Sequence, residues 1–262
     1  MELKPITVNL SEYPNKLHPY LDGVKLYDSS CSPEARVIFI DKDGGYFLKI
    51  GRVADLDREY KMTRYFHGKG LAARVVEYYF TVGNDYLLTE KLRGDDCTAQ
   101  KYLEQPERLA EMFGARLSFL HSLDYTGCPV PNHTERYLFK SEQNMKAEQY
   151  DKSHFPDSFG YANAEQAWAV IEKQGHLLKT DTLLHGDYCL PNIILDDWRF
   201  SGFIDLDNGG VGDRHVDLFW GAWTLWFNLK TDKYRDRFLD AYGRDKIDEE
   251  LLRVVAACEV FG

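Results

Sequence analysis

The sequence has no apolar run long enough to cross a membrane. Hydrophobic residues fill 44% of its 262 positions but are interrupted throughout, whereas a spanning helix needs about 20 in succession. The opening MELKPITVNL lacks the basic-then-apolar pattern of a secretory leader, so a cytoplasmic protein without a membrane anchor is expected. Cysteine is sparse: Cys31, Cys97, Cys128, Cys189 and Cys258 are odd in number and scattered. No two have metal-ligand spacing, so reduced thiols are expected and neither a disulfide framework nor a zinc site. Positive charge is also short. Against 42 acidic residues stand 32 Lys and Arg, a formal net charge of -10, which argues against nucleic acid as a partner because phosphates call for a basic surface. An acidic balance is compatible with a cationic substrate. Internal repeats and low-complexity segments are absent as well.

What is there falls into two parts. VKLYD (24–28), RVIFID (36–41) and YFLKI (46–50) are rich in β-branched and aromatic residues, with Asp43-Gly44-Gly45 as a hairpin turn. A polar helix is predicted at 55–67, closed by Gly68 and Gly70, and two more strands at 73–80 and 85–90. The order β-β-β-α-β-β predicts an antiparallel sheet with one helix packed on it. After Arg93-Gly94 the character changes. Pro106 suits the first turn of a helix, and Leu109, Met112, Phe113, Leu117 and Leu120 recur at helical spacing down to His121. Further helices are predicted at 134–150, at 163–174 and over the C-terminal remainder. The fold class expected is therefore α+β, with a small β-rich lobe at 1–90, a hinge at 91–94 and a larger helical lobe at 95–262.

The densest chemical signal is LLHGDYCLPNIILDDWRFSGFIDLDNGG, residues 183–210. Two apolar strands, 192–195 and 200–205, flank a predicted turn at Asp196-Asp197. Asp187 and Asn192 come at or before the first strand and Asp205 ends the second, which gathers three oxygen-bearing side chains at one end of a hairpin. Taken singly, such residues commonly cap strands and turns. The joint spacing, Asn five positions after the first Asp and another Asp thirteen further on, matches what phosphoryl transfer needs. That reaction takes a carboxylate beside the attacking hydroxyl and hard oxygen ligands for magnesium, which itself keeps water and phosphate oxygens.

His185-Gly186-Asp187 with Asn192, Gly202-Phe203-Ile204-Asp205, Gly212-Asp213 and Asp217 resemble the signature of the aminoglycoside 3'-phosphotransferases, a branch of the kinase-like phosphotransferases. Leu120-His121-Ser122-Leu123-Asp124 followed by Cys128-Pro129 resembles the same family ahead of its substrate-binding helices. The resemblance spans nearly the whole chain. It implies a bilobal protein-kinase-like fold and an ATP-dependent enzyme that phosphorylates a hydroxyl of a small molecule, with aminoglycoside resistance as its outcome. Asp187 would activate that hydroxyl, Asn192 and Asp205 would bind Mg2+, and Asp217 would brace the catalytic loop. Lys49 would grip the nucleotide phosphates and pair with Glu59, although a strand lysine is often only a solvated edge residue. The turn 29–35 would cover the phosphates with the hydroxyls of Ser29, Ser30 and Ser32, since it lacks a glycine fingerprint. The backbone of Glu90 and Leu92 would read adenine.

The resemblance also implies an acceptor site lined with carboxylates, for which the chain offers Asp151, Asp157 and Glu259. It departs from the family at Asp207-Asn208, where glycine-arginine is usual, and at Cys258, where an acid is usual. The aromatic run 218–227 is expected to pack the core. Choline, a macrolide, a nucleoside antibiotic or another small alcohol are alternative acceptors. A nucleotide-binding pseudokinase is disfavoured by the full set Lys49, Glu59, Asp187, Asn192 and Asp205. A protein kinase is disfavoured by the lack of an Ala-Pro-Glu segment and of an activation loop after Asp205. Asp187→Asn is expected to melt like the parent while its turnover falls by about 10²–10⁴-fold, as loss of general-base action requires. Steady-state phosphorylation assayed beside a melting curve checks it.

Overall fold

Short apolar runs separated by turn residues build the first part of the chain as strands. In order come β1 (Lys4–Ile6), two 3-10 turns, α1 (His18–Leu21), β2 (Lys25–Asp28), β3 (Arg36–Asp41), β4 (Tyr46–Arg52), α2 (Asp57–Gly68), β5 (Val75–Phe80) and β6 (Asn84–Glu90). The computed structural model describes residues 4–31, 35–150 and 159–262. They form two units: 1–94 with 194–207, and 95–193 with 208–262.

In the first unit the strands make one antiparallel sheet in the order β1-β2-β3-β4-β6-β5. The register aligns Ile38 with Leu48 and Leu48 with Leu88, and one position on aligns Val37, Lys49 and Leu87. Because side chains alternate across a strand, these are two different faces. Leu26, Ile38, Ile40, Leu48, Tyr86 and Leu88 pack under Tyr13, Leu17 and Leu21 from the N-terminal segment. On the other face lies α2, where Tyr60 stacks on Tyr78 of β5 with centroids 4.3 Å apart. Lys49 is thus a cation on a strand covered on both sides.

The expected antiparallel sheet with one helix is present, with β1 added at its edge. Three residues with Pro5 in the middle carry no readable alternation, and proline is tolerated at an edge because no ladder donor is needed there.

The second unit contains β7 (Asp95–Asp96), α3 (Gln100–Leu103), α4 (Pro106–His121), α5 (His133–Lys146), α6 (Ala164–Gln174) and β8 (Thr182–Leu184). The chain continues through β9 (Ile193–Asp196), β10 (Arg199–Phe203), β11 (Gly210–Gly212), α7 (His215–Leu229), α8 (Arg235–Tyr242) and α9 (Glu249–Glu259). Along α4 the predicted period holds: Leu109, Phe113, Leu117 and Leu120 are fully buried. The helix expected at 134–150 stops at Lys146, because Glu148 adopts a left-handed φ of 52°. β8 and β11 pair antiparallel, Leu183 opposite Val211.

The β9–β10 turn is centred on Asp197 and Trp198, one position later than expected. Both have positive φ, 48° and 67°, as a tight two-residue hairpin connection demands. The segment 194–207 belongs to the first unit, whereas the sequence placed it in the helical lobe. Phe203 explains this: its N–H donates to the Leu71 carbonyl at 2.7 Å and its ring meets Phe66 edge-on.

Gly114 sets the closeness of α4 to α8. A Cβ there would lie 2.2 Å from the Phe238 carbonyl oxygen. An exposed helical Gly→Ala change gains roughly 1 kcal/mol, but overpacking costs about 1–3 kcal/mol, and a rigid backbone oxygen cannot yield. Gly114→Ala is therefore expected to lower stability, read as an earlier urea midpoint.

Candidate active site

The first unit gathers three charged residues. Lys49 Nζ lies 2.7 Å from Glu59 Oε2 and 2.8 Å from Asp205 Oδ1. Glu59 faces Lys49 because the start of α2 is fixed: buried Asp85 on β6 accepts from the Leu56 N–H at 3.3 Å and from the Tyr78 hydroxyl at 3.1 Å. Asp85 was not singled out in the sequence, since an Asp at a strand end after a turn carries no distinctive signal. Burial alone would lower the Lys49 pKa, but the two carboxylates outweigh it and hold the ammonium above its ordinary value. Burial pushes Glu59 up to about 7 despite Lys49. The ordinary surface pairing also occurs, one turn away: Asp57 accepts from Lys61 at 2.6 Å.

Asp205 follows β10 in a left-handed conformation, φ 58°, with about half of its side chain exposed. Aspartate tolerates this region better than most residues. Two positions on, Asp207 is held by a fork from Arg58 of α2, whose Nε lies 3.0 Å from Asp207 Oδ1. The aspartate that departs from the family pattern is therefore part of an α2 clamp on the stretch after Asp205.

In the second unit, residues 185–192 form a loop fastened at nearly every position. Gly186 has φ +85°, and a Cβ on it would lie 1.9 Å from the Asn208 carbonyl oxygen, so only glycine fits. Asp217, fully buried in the first turn of α7, accepts the His185 N–H at 2.8 Å and the Gly186 N–H at 2.7 Å. Burial by itself would raise the Asp217 pKa; hydrogen bonds from His121 and the His185 backbone hold it below the ordinary value. Tyr188 donates its hydroxyl to the Phe113 carbonyl at 2.9 Å, and the Leu190 N–H reaches Thr224 Oγ1 at 3.2 Å. Asp187 is left half-buried, with Oδ2 accepting from Asn192 Nδ2 at 2.8 Å. Asn192 ends a 3-10 turn before β9, rather than starting the strand.

The remaining candidates are placed as follows. Ser30 Oγ accepts the Val37 N–H at 3.0 Å, and its hydroxyl also hydrogen-bonds the Asp28 carboxylate, which holds the Asp28 pKa below its ordinary value. Ser32, Asp151 and Asp157 lie outside the described residues. The Glu90 carboxylate accepts from Arg74 Nε at 3.0 Å and its N–H donates to the Arg74 carbonyl at 3.0 Å. Leu92 rests its side chain over Gly202 of β10.

Glu259, at the end of α9, is buried and accepts from the Tyr137 hydroxyl at 2.7 Å and Trp220 Nε1 at 3.0 Å, both at Oε1. Burial pushes it up to about 7. The chain end is fixed too: Phe261 is buried and its carbonyl accepts from Asn144 Nδ2 at 2.6 Å. The aromatic run divides. Leu218 and Leu225 are in the core, while Trp226 and Phe227 are 47% and 46% exposed, so the expectation of core packing holds for part of it only.

A lysine–glutamate pair on a strand and a helix, with an aspartate after a hairpin, and a separate Asp–Asn loop braced by a buried carboxylate, define a phosphotransferase of the kinase-like fold. The fold matches the crystal structure of an aminoglycoside 3'-phosphotransferase of type VIII, with TM-score 0.72 and 20% identity over 96% of each chain. It also matches an aminoglycoside phosphotransferase from Streptomyces rimosus solved with ADP and streptomycin, with TM-score 0.70, 19% identity, and 98% and 100% of the two chains covered.

Residues 17–255 match the phosphotransferase enzyme family, and the chain is 50% identical over 260 residues to a probable aminoglycoside 3'-phosphotransferase of Lactococcus lactis, 99% of either chain. It is 29% identical over 179 residues, 68% of each chain, to the aminoglycoside 3'-phosphotransferase of Niallia circulans. The chain belongs to the aminoglycoside phosphotransferase family.

Lys49→Ala is expected to raise the nucleotide KM and lower turnover, together by about 10–100-fold, as loss of a hydrogen bond to a charged group implies. Glu59→Gln should do the same more mildly, since it only orients Lys49. Initial rates across a nucleotide titration distinguish the two, and unchanged nucleotide kinetics in Lys49→Ala would refute this use of β4.

Proposed function

We propose that the chain transfers the γ-phosphoryl group of ATP to the 3'-hydroxyl of an aminoglycoside and so confers resistance. The observation that carries this reading is the half-buried Asp187 carboxylate, presented by a loop whose every neighbour is fastened and oriented by Asn192. A carboxylate so held accepts the proton of an incoming hydroxyl without first reorganising. The identity of 50% over 99% of a probable aminoglycoside 3'-phosphotransferase supports the choice of acceptor and hydroxyl. The neighbour solved with ADP and streptomycin supports a nucleotide and a cationic acceptor.

Lys49 neutralises phosphate charge, Glu59 orients it, and Ser30 and Ser32 donate to phosphate oxygens. The backbone of Glu90 and Leu92 takes adenine. The donor set fits a magnesium ion: Asn192 commits its amide nitrogen to Asp187, leaving Oδ1 free to turn to a cation, and Asp205 is half exposed. When bound, the ion offsets the negative charge of the phosphates. Asp157 and Glu259 contribute negative charge for acceptor ammonium groups, Glu259 through its Oε2. The protein works in the cytoplasm, where ATP is supplied.

A second reading, with a less polar acceptor such as a macrolide, is favoured by the half-exposed Trp226 and Phe227; the cavity of ≈ 330 Å³ that Phe219, Trp223 and Trp226 line is also lined by Asp232, Arg235, Glu249 and Arg253 and does not add to it. A coupled ADP-release assay over aminoglycosides, macrolides, choline and nucleosides decides. Turnover with aminoglycosides alone supports the first reading, and turnover only with a neutral acceptor overturns it.

Because Glu259 ionises near pH 7, its charge grows as pH rises through that value. The acceptor KM is expected to fall between about pH 6 and 8 in the parent, by about 10-fold for one charge-assisted bond. In Glu259→Gln the dependence should flatten while the ATP KM stays put. A point variant is used because removing the end of the chain would also remove buried Phe261.

A further inference from the structure

His121, at the end of α4, hydrogen-bonds the brace of the catalytic loop. Its Nε2 lies 3.0 Å from Asp217 Oδ2, the same oxygen that accepts the His185 N–H. Its Nδ1 lies 2.9 Å from the hydroxyl of Tyr242, the last residue of α8. Both His121 and Asp217 are shut off from solvent, their side chains 3% and 0% exposed. Burial lowers the pKa of His121, so the ring is neutral and carries one N–H. Asp217 has no proton to give. It can only accept, which places the His121 N–H on Nε2, pointing at Asp217; the Tyr242 hydroxyl, kept protonated by burial, then donates to Nδ1 and holds the ring from its other nitrogen. The chain of hydrogen bonds thus runs from α8 through α4 to α7 and into the loop.

We infer that His121 is a positioning residue for phosphoryl transfer, acting through Asp217 on Asp187, and that Tyr242 holds its ring in place. The reason lies in what the loop would do without it. Gly186, at φ +85°, has no side chain to lock its backbone, and its orientation rests on the bond to Asp217. Asp217 can present one oxygen to each of two neighbouring N–H groups only while its plane is fixed. The His121 N–H, a second donor to the oxygen that accepts the His185 N–H, fixes that plane. Remove it and the carboxylate can swivel, carrying Gly186 and, one residue on, Asp187. A displacement of about 1 Å at a reacting group costs up to about 10²-fold in rate. Lys49, Glu59 and Asp205, assigned to the nucleotide, belong to the first unit and are members of none of these hydrogen bonds, so nucleotide affinity should not follow.

The test compares His121→Leu, which removes donor and acceptor, with His121→Gln, which can keep both, and with Tyr242→Phe, which removes only the hydrogen bond that holds the ring at Nδ1. Steady-state kcat and KM are measured for ATP and for the best acceptor of the parent enzyme, beside melting curves. If no aminoglycoside is turned over, the reading of the acceptor fails on its own, and the variants are compared by ATP hydrolysis with water as acceptor. The expected result is a fall in kcat of about 10–100-fold in His121→Leu. A smaller fall is expected in Tyr242→Phe and most of the rate should return in His121→Gln, with both KM values within about 2-fold of the parent. If His121→Leu does not fold, the other two variants carry the comparison. An unchanged kcat in folded Tyr242→Phe and His121→Leu overturns the proposal. So does a loss that follows the melting temperature alone, with His121→Gln no better than His121→Leu.

Discussion

The buried carboxylate of Asp217 is the contact on which the loop bearing Asp187 depends. An ionised side chain with no exposure is tolerated only when its lone pairs are filled, because its desolvation is otherwise prohibitive. Here two backbone N–H groups and one imidazole fill them. The requirement works in both directions. The loop stays in place because the carboxylate needs its donors, and the carboxylate stays charged because the loop supplies them. Replacing either side alone leaves the other unsatisfied inside the core. α4, α7 and α8 thereby share one electrostatic constraint besides their apolar contacts.

The β-rich part was legible because its signals are local: alternation in β3 and β4, glycines at the turn, and a helix closed by Gly68. The site was legible through spacing, since Asp187, Asn192 and Asp205 stand at intervals that the hairpin dictates. What was not legible depends on long-range pairing. Asp85 looks like any strand-end aspartate until α2 is seen to start on it. His121 lies ninety-six positions from Asp217, and nothing near either residue signals the contact. The turn at Asp197-Trp198 was misplaced by one because tryptophan is a poor marker of a left-handed turn, and tertiary packing overrode the preference.

The acid pair on Lys49 and the single acid on α9 illustrate opposite uses of burial. Lys49 meets two carboxylates, and attraction defeats desolvation, so its charge is permanent. Glu259 accepts from neutral donors, a phenol and an indole, and these with the field of Lys140 do not offset its burial, so desolvation prevails and its charge is conditional. One strand lysine is therefore a constant of the site, whereas one helix glutamate varies over the physiological pH range.

The division of the chain into units has a consequence for biosynthesis. The first unit is completed by residues 194–207, which follow most of the second unit in the sequence. On a ribosome, β1 to β6 and α2 emerge long before Asp205 and Asp207. Lys49 and Arg58 must therefore wait for their partners until the greater part of the protein has been made. Domains usually fold in order from the N-terminus, but this one cannot finish first. The six-stranded sheet has all its strands by then, but Phe66 and Leu71 still await Phe203, and a nascent chain stalled before residue 194 would expose the surface that Phe203 covers. Synthesis of the two units is thus interleaved, and neither can be shuffled between proteins as a contiguous cassette.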